Sequence, residues 1–184
     1  RAGIKVSPDS AVGYYYLGRI GVEARDFDKA TTHFEQAVTL NPAFEPAYVA
    51  LGSVYEAKQD RGKAIDIYRR YLQGVNPKNR EIRHHLIRLQ VSAKQYDEAL
   101  RELQEMLAED PSDLDAQLRV AELCVQEGLV DEAVRMYLQL GREQSAAQQY
   151  EQAKAMYTAV LRLDPENAEA KEITSMIETG GGAP

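Results

Sequence analysis

The feature that most constrains this chain is a period. Ala30, Ala64, Ala99 and Ala133 recur at intervals of 34, 35 and 34 residues, in the similar phrases DFDKA, DRGKA, QYDEA and LVDEA. Pro8, Pro42, Pro77 and Pro111 keep the same intervals and close KVSP, TLNP, GVNP and AEDP. Gly18 and Gly52 are also 34 apart. Three residue types on one period point to an array of like units rather than one irregular core.

Inside a period the apolar spacing is helical. Tyr14, Leu17, Gly18 and Gly21 share one helical face, as do Tyr48, Leu51, Gly52 and Tyr55. A second helix follows each Ala, with Ala30, Phe34 and Ala37 on one face and Ala64, Tyr68 and Tyr71 on the next. Small residues let two helices approach closely, and the aromatic fills the space beside them. Asp26, Asp60, Asp97 and Asp131 fall at or near the start of each second helix, where a carboxylate can cap free N–H groups. The Pro then stops the helix and turns the chain. Each unit is a hairpin that buries its apolar face only by stacking on the next.

This pattern resembles the tetratricopeptide repeat family, with its aromatic, Leu-Gly, Tyr, Ala, aromatic and Pro over 34 residues. Residues 45–78 match best, at Tyr48, Leu51, Gly52, Tyr55, Ala64, Tyr68 and Pro77. Residues 11–44 depart from it at Gly21, in place of Tyr. Residues 80–113 have Ile87 where Gly is usual, and residues 114–133 have Cys124 in the Tyr position. The resemblance implies an all-α, right-handed superhelical α-solenoid of about ten helices. It predicts a single array over 11–179, with units 11–44, 45–79, 80–113 and 114–133, a helix pair closing at 149–165, and a capping helix at 166–178. Residues 1–10 read as the end of a preceding repeat helix and 180–184 as a flexible tail. The start at Arg1 suggests a piece of a longer chain.

One stretch breaks the period. Ala153 comes only 20 residues after Ala133, and Pro165 comes 54 after Pro111. About one helix is missing. Tyr137 follows Ala133 as Phe34 follows Ala30, yet Tyr137, Leu140, Gly141, Ala153 and Tyr157 also reproduce Tyr48, Leu51, Gly52, Ala64 and Tyr68. One helix over about 130–148, shared by two units, accounts for both readings. A deletion or loop near residues 144–149 is the alternative.

Composition narrows the chemistry. The net charge of −7 argues against general nucleic-acid binding, which needs a basic footprint. A single cysteine, Cys124, permits no intrachain disulfide, so the compartment stays open between cytoplasm and periplasm, with cytoplasm preferred. The sparing cysteine and the repeat style suit a bacterial protein. His33, His84 and His85 lack the spacing that lets two imidazoles share a metal on one helix. No phosphate-binding glycine loop or nucleophile elbow is present. No catalytic residue, metal or cofactor is predicted.

Beside the packing stripe of each first helix runs a second one, which in tetratricopeptide arrays lines the concave groove. Its predicted partner-binding residues are Tyr15, Arg19, Val49, Ser53, His84, Arg88, Leu118, Glu122, Leu138 and Arg142. Apolar members alternate with guanidiniums that can pair with carboxylates. The competing reading has these Arg paired to nearby Glu of the chain itself. The Lys and Asn constellation of chaperone-tail binders and the Asn ladder of glycosyltransferase-type arrays are absent from the corresponding positions. The predicted function is a non-catalytic interaction scaffold for a partner segment with apolar anchors and carboxylates. Two further readings are a regulatory or substrate-presenting arm of a larger enzyme or assembly, and a helical-repeat RNA reader. Self-association through the array ends is also expected.

Overall fold

A computed structural model describes residues 10–179. Ten helices and no strand occur among them. They are α1 (Ala11–Glu23), α2 (Phe27–Leu40), α3 (Glu45–Ala57), α4 (Arg61–Gly74), α5 (Arg80–Ser92), α6 (Tyr96–Glu109), α7 (Leu114–Gln126), α8 (Val130–Ala146), α9 (Tyr150–Leu163) and α10 (Ala168–Glu178). The all-α repeat architecture expected from the period is the one the chain adopts. The expectations for residues 1–9 and 180–184 lie outside the described residues.

Two kinds of turn alternate. In the first, a residue at positive φ ends the helix: Arg25 (56°), Gln59 (60°), Lys94 (59°), Gly128 (79°) and Gln148 (60°). The following N–H reaches back to a carbonyl of the preceding helix, from Asp26 to Gly21, Asp60 to Tyr55, Gln95 to Gln90, Leu129 to Cys124 and Gln149 to Gln144, at 2.8–2.9 Å. This left-handed stop satisfies carbonyls that the helix end would leave bare. In the second kind, Asn41, Asn76, Asp110 and Asp164 accept the N–H two residues on through the side chain, at 3.0–3.2 Å. A proline follows each of these four residues and prevents the helix from continuing.

The five left-handed turns close α1–α2, α3–α4, α5–α6, α7–α8 and α8–α9. Helix α8 therefore has a turn of the first kind at both ends. It has 17 residues, against 11 to 14 in the other helices, and packs on both α7 and α9. It stops at Ala146, two residues before the expected end at 148, because Gln148 takes the left-handed turn.

Side-chain caps start six helices, from Ser10, Asp26, Asp60, Asn79, Asp113 and Asn167. Asp97 and Asp131 differ from Asp26 and Asp60. Each lies within the first turn of its helix, complementing the dipole rather than standing as the cap; Leu129 holds the cap position of α8 and makes no side-chain bond.

The chain divides after Ala99 into two compact units. In the first, Phe34 and Tyr68, both at most 1% exposed, lie against Gly18 and Gly52. A methyl on Gly18 would meet the Phe34 ring at 2.6 Å (Cδ1), and one on Gly52 would meet the Tyr68 ring at 2.6 Å (Cε1). Only glycine permits such contact between helix backbone and ring. Successive hairpins are tied by polar bonds: the Tyr55 hydroxyl donates to Glu35 (2.7 Å) and the Asn79 amide to Glu45 (2.6 Å), which also accepts from the Tyr71 hydroxyl of its own hairpin (2.9 Å). In the second unit the same pairing recurs as Gly141 against Tyr157, with Ala133, Tyr137, Leu140 and Val160 completing the core. Cys124 packs beside it, half-buried, as a small apolar side chain.

Candidate functional site

In the first unit, α1 and α3 face each other across a cavity of about 350 Å³. Val22, Phe27, Phe34, Ala50, Val54 and Ala57 form its apolar lining. Tyr15, Arg19, Glu23 and Ser53 supply its polar atoms. Three of the predicted groove residues thus meet here: Tyr15, Arg19 and Ser53. Tyr15 is fixed by aromatic contacts, with its ring 5.8 Å from that of Phe34 and 5.4 Å from that of Phe44. Arg19 is exposed, and its guanidinium lies 5.8 Å from the centre of the Tyr16 ring. No carboxylate among the described residues forms an ion pair with it. Val49 is half-buried against the core one turn before Ser53.

A second, more polar cavity of about 400 Å³ lies between the end of α3, the start of α4 and α5. Glu56, Gln59, Arg61, Arg88, Leu89 and Ser92 line it. Here Nη2 of Arg88 donates to both oxygens of Glu56, at 2.9 and 2.8 Å. Beneath them the Tyr68 hydroxyl is pushed up to about 12 by burial and by the Glu56 charge. His85 stacks on the Tyr68 ring, centroids 5.3 Å apart and planes 17° from parallel. His84, the predicted groove member, is half-buried on the same helix.

In the second unit, Leu118 and Leu138 are half-buried against the core, and Glu122 is exposed. Arg142 is held by Glu169 of α10, through Nε to Oε1 (2.7 Å) and Nη2 to Oε2 (2.5 Å). That guanidinium holds the Glu169 carboxyl below the usual range. Two of the three cations of the stripe are therefore paired to Glu of the chain itself, the alternative raised from the sequence. Arg88 and Arg142 already have Glu56 and Glu169; of the three, Arg19 alone has no carboxylate among the described residues.

The sequence reading missed two side chains. Arg83 and Gln90 stand where Tyr48 and Tyr55 stand one period earlier, yet they are only 5% and 1% exposed. The Arg83 guanidinium turns back to donate to the Pro77 carbonyl. Their helical register was the available signal. Among the described residues, no group of three His, Cys, Asp or Glu is placed to hold a metal ion, and no helix is long and apolar enough to cross a membrane.

Comparison with known proteins gives the same picture of the repeats. Three family profiles described as Tetratricopeptide repeat match residues 15–79, 90–146 and 134–167. The last two overlap over 134–146, which lies wholly within α8. Among curated proteins, BBSome complex member BBS4 of Bos taurus is 30% identical over 121 residues, 66% of this chain and 23% of that protein. Anaphase-promoting complex subunit 3 of Schizosaccharomyces pombe is 27% identical over 113 residues, 61% of this chain and 17% of that protein. The chain spans less than a quarter of the length of these relatives. Among solved structures, MamA superposes with a TM-score of 0.60 at 16% identity, covering 95% of this chain and 97% of that one. YrrB, described as a TPR protein with an unusual peptide-binding site, gives 0.54 at 20% identity, covering 91% and 93%. These two structures speak to the fold. With profiles of one family matched over well more than half its length, and with the hairpins, close Gly–aromatic contacts and turns described above, the chain belongs to the tetratricopeptide repeat family.

Proposed function

We propose that this chain is a non-catalytic scaffold for a partner protein. In the first unit, the partner segment seats a large apolar side chain in the α1–α3 cavity and places a carboxylate on Arg19. The observation that carries this reading is the cavity itself. It has an apolar lining and, at its rim, a guanidinium that no carboxylate of the described residues satisfies. Its volume of about 350 Å³ falls at the small end of the range for ligand pockets and suits one or two side chains rather than a cofactor. An extended or helical segment can add an Arg–carboxylate bond to the buried anchor. Glu23 on the same rim repels a second acidic group, which favours one direction for the segment. At Arg88 and Arg142 a partner's carboxylate must first displace Glu56 or Glu169, so those positions add less affinity. The description of YrrB as having a peptide-binding site supports the same class of ligand.

The test is selection from a random peptide library, followed by measured affinities for the recovered sequences. They should combine a large apolar residue with an acidic one. Arg19→Glu should weaken them more than tenfold, about 1.4 kcal/mol. Lys94→Glu, an exposed cation outside the cavity, should leave affinity within twofold. Equal losses in both variants would mean that general charge, and not this cavity, governs binding.

A second reading is favoured by the names of the curated relatives, which are subunits of complexes matched over a small share of their length. Under it, the chain is one arm of an assembly subunit and α8 joins two of its repeats. Tagging the protein in its own cells and sizing the complex would separate a stable subunit from a scaffold that exchanges its partners.

A further inference from the structure

The rim of the α1–α3 cavity carries two opposite charges from one helix. Arg19 and Glu23 both line it, one turn apart on α1, and both are exposed. Neither has an ion-pair partner among the described residues, and they do not pair with each other. Arg before Glu is the weaker order for such a pair, since the opposite order suits the helix dipole. Glu23 is the last residue of α1, where a carboxylate meets the negative end of that dipole, and no basic residue stands in the last turn to offset it. Acids that end two other helices do have cations. Glu56, near the end of α3, is bonded to Arg88 at 2.8 Å, and Glu178, at the end of α10, to Lys154 at 2.9 Å. Beside Glu23, Arg25 does not line the cavity, and Lys58 is held by Asp28 at 2.6 Å. A charge left uncompensated at the unfavourable end of its helix, beside an apolar cavity, is placed for a group outside the chain.

We propose that the segment bound in this cavity carries a basic residue for Glu23 as well as an acidic residue for Arg19, the two in a fixed order around the apolar anchor. The proposal rests on the reading of the α1–α3 cavity as a peptide site. Four residues of helix rise about 6 Å, so α1 presents its two charges at that spacing. A partner matches it with residues i and i+4 of a helix, or with i and i+2 of an extended chain, which rise about 6–7 Å. The direction of the segment sets the order of its charges. Acid precedes base if it runs parallel to α1, and base precedes acid if it runs antiparallel. In the matching order both pairs form; in the other order both positions meet like charge. The net charge of −7 adds to the selection. At long range it disfavours a segment that brings acid alone, and a base in the segment offsets that repulsion.

The experiment uses peptides selected on the whole chain from a random library, with affinities measured by titration calorimetry. Each peptide is remade with its basic residue replaced by Gln, and again with its acidic and basic residues exchanged. For the parent chain the first change should weaken binding about two- to fivefold, the size of one exposed ion pair, and the second more than about tenfold. Glu23→Gln alters one exposed side chain without changing its size. In that variant, replacing the peptide's base should change affinity by less than about 1.5-fold, because its partner is already gone. Arg19→Glu with Glu23→Arg should invert the preference and bind the exchanged peptide better than the original. Glu23→Gln should also hold or raise Tm, since it removes a charge from the wrong end of α1, whereas a structural role for Glu23 would lower it.

Selected peptides that lack a basic residue at the matching spacing overturn the proposal. So does a loss, on removing the peptide's base, that is as large in Glu23→Gln as in the parent. A folded double variant that keeps the original preference overturns it too; should that variant fail to fold, the comparison with Glu23→Gln decides alone. Failure here is distinct from failure of the cavity as a site. If Arg19→Glu still weakens the peptides about tenfold while Glu23→Gln has no effect, the cavity takes an acidic segment and only the role of Glu23 is lost. If Arg19→Glu leaves affinity unchanged, the peptides bind elsewhere and both readings fall.

Discussion

Gly52→Ala isolates the glycine–aromatic contact that recurs at Gly18–Phe34, Gly52–Tyr68 and Gly141–Tyr157. The added methyl would sit 2.6 Å from Cε1 of Tyr68, whereas ordinary van der Waals contact begins near 3.4 Å. The ring is fully buried and cannot swing into solvent, and its Cζ and hydroxyl lie closer still, so ring or helix must retreat by more than an ångström. Overpacking of this kind costs about 1–3 kcal/mol. Against it stands the gain in helix propensity on replacing Gly by Ala, up to about 1 kcal/mol. A contact this short belongs in the upper half of that range, so the clash wins by about 1–2 kcal/mol. For a cooperative unit of roughly 100 residues that lowers Tm by about 4–16 °C. Gly74→Ala is the matched control. Gly74 closes α4, and a methyl placed there would have nothing within 4 Å, so only the propensity gain remains and Tm should hold or rise. Adding Tyr68→Leu to Gly52→Ala should cost less than the sum of the single changes, since the smaller side chain yields the space. Thermal unfolding followed by circular dichroism reads all these variants against the parent. A Gly52→Ala variant as stable as Gly74→Ala would refute the close-packing argument.

Two further outcomes follow from α8 and its surroundings. Gln144→Pro removes a helical N–H and clashes with the Leu140 carbonyl, at a cost of ~3 kcal/mol or more. On our reading of α8 as shared between two repeats, hydrogen exchange should quicken in both α7 and α9; faster exchange in only one of them would contradict that reading. Glu169 supplies the pH test. Because Arg142 lowers its folded-state pKa, its contribution is complete above the ordinary value of 4.5 and is lost as pH falls below it. Glu169→Gln should therefore flatten the acid branch of the stability curve below pH 4.5, and an unchanged acid branch would show that the ion pair contributes nothing.

The hairpins were legible because Ala, Pro and aromatic positions are set by close packing, which tolerates few residue types. The left-handed turns were not. Four of the five use Arg, Gln or Lys, which carry no turn signal, and only Gly128 is a glycine. The double boundary of α8 was therefore invisible at Gln148, although the broken spacing of Ala133 and Ala153 pointed to the place. The stripe read from the sequence as a groove lining consists of exposed and half-buried positions, but its ion pairs were not legible. Glu56 lies 32 residues before Arg88, and Glu169 lies 27 after Arg142. Such pairs form only when neighbouring helices bring distant residues together. Arg83 and Gln90 were hidden for a related reason. Each takes a Tyr position, so its polarity suggested the surface while its register required burial.

The most direct measurement of the central claim is a titration of the ¹⁵N-labelled chain with the tightest selected peptide, followed by amide chemical shifts. The largest changes should gather on Tyr15, Arg19, Val22, Ala50, Ser53 and Ala57, and they should vanish in Arg19→Glu. Changes gathered instead on another cavity of about 420 Å³, lined by α2, α3 and α4 at Glu35, Tyr55, Lys63 and Arg70, would contradict the assignment of the α1–α3 cavity as the binding site.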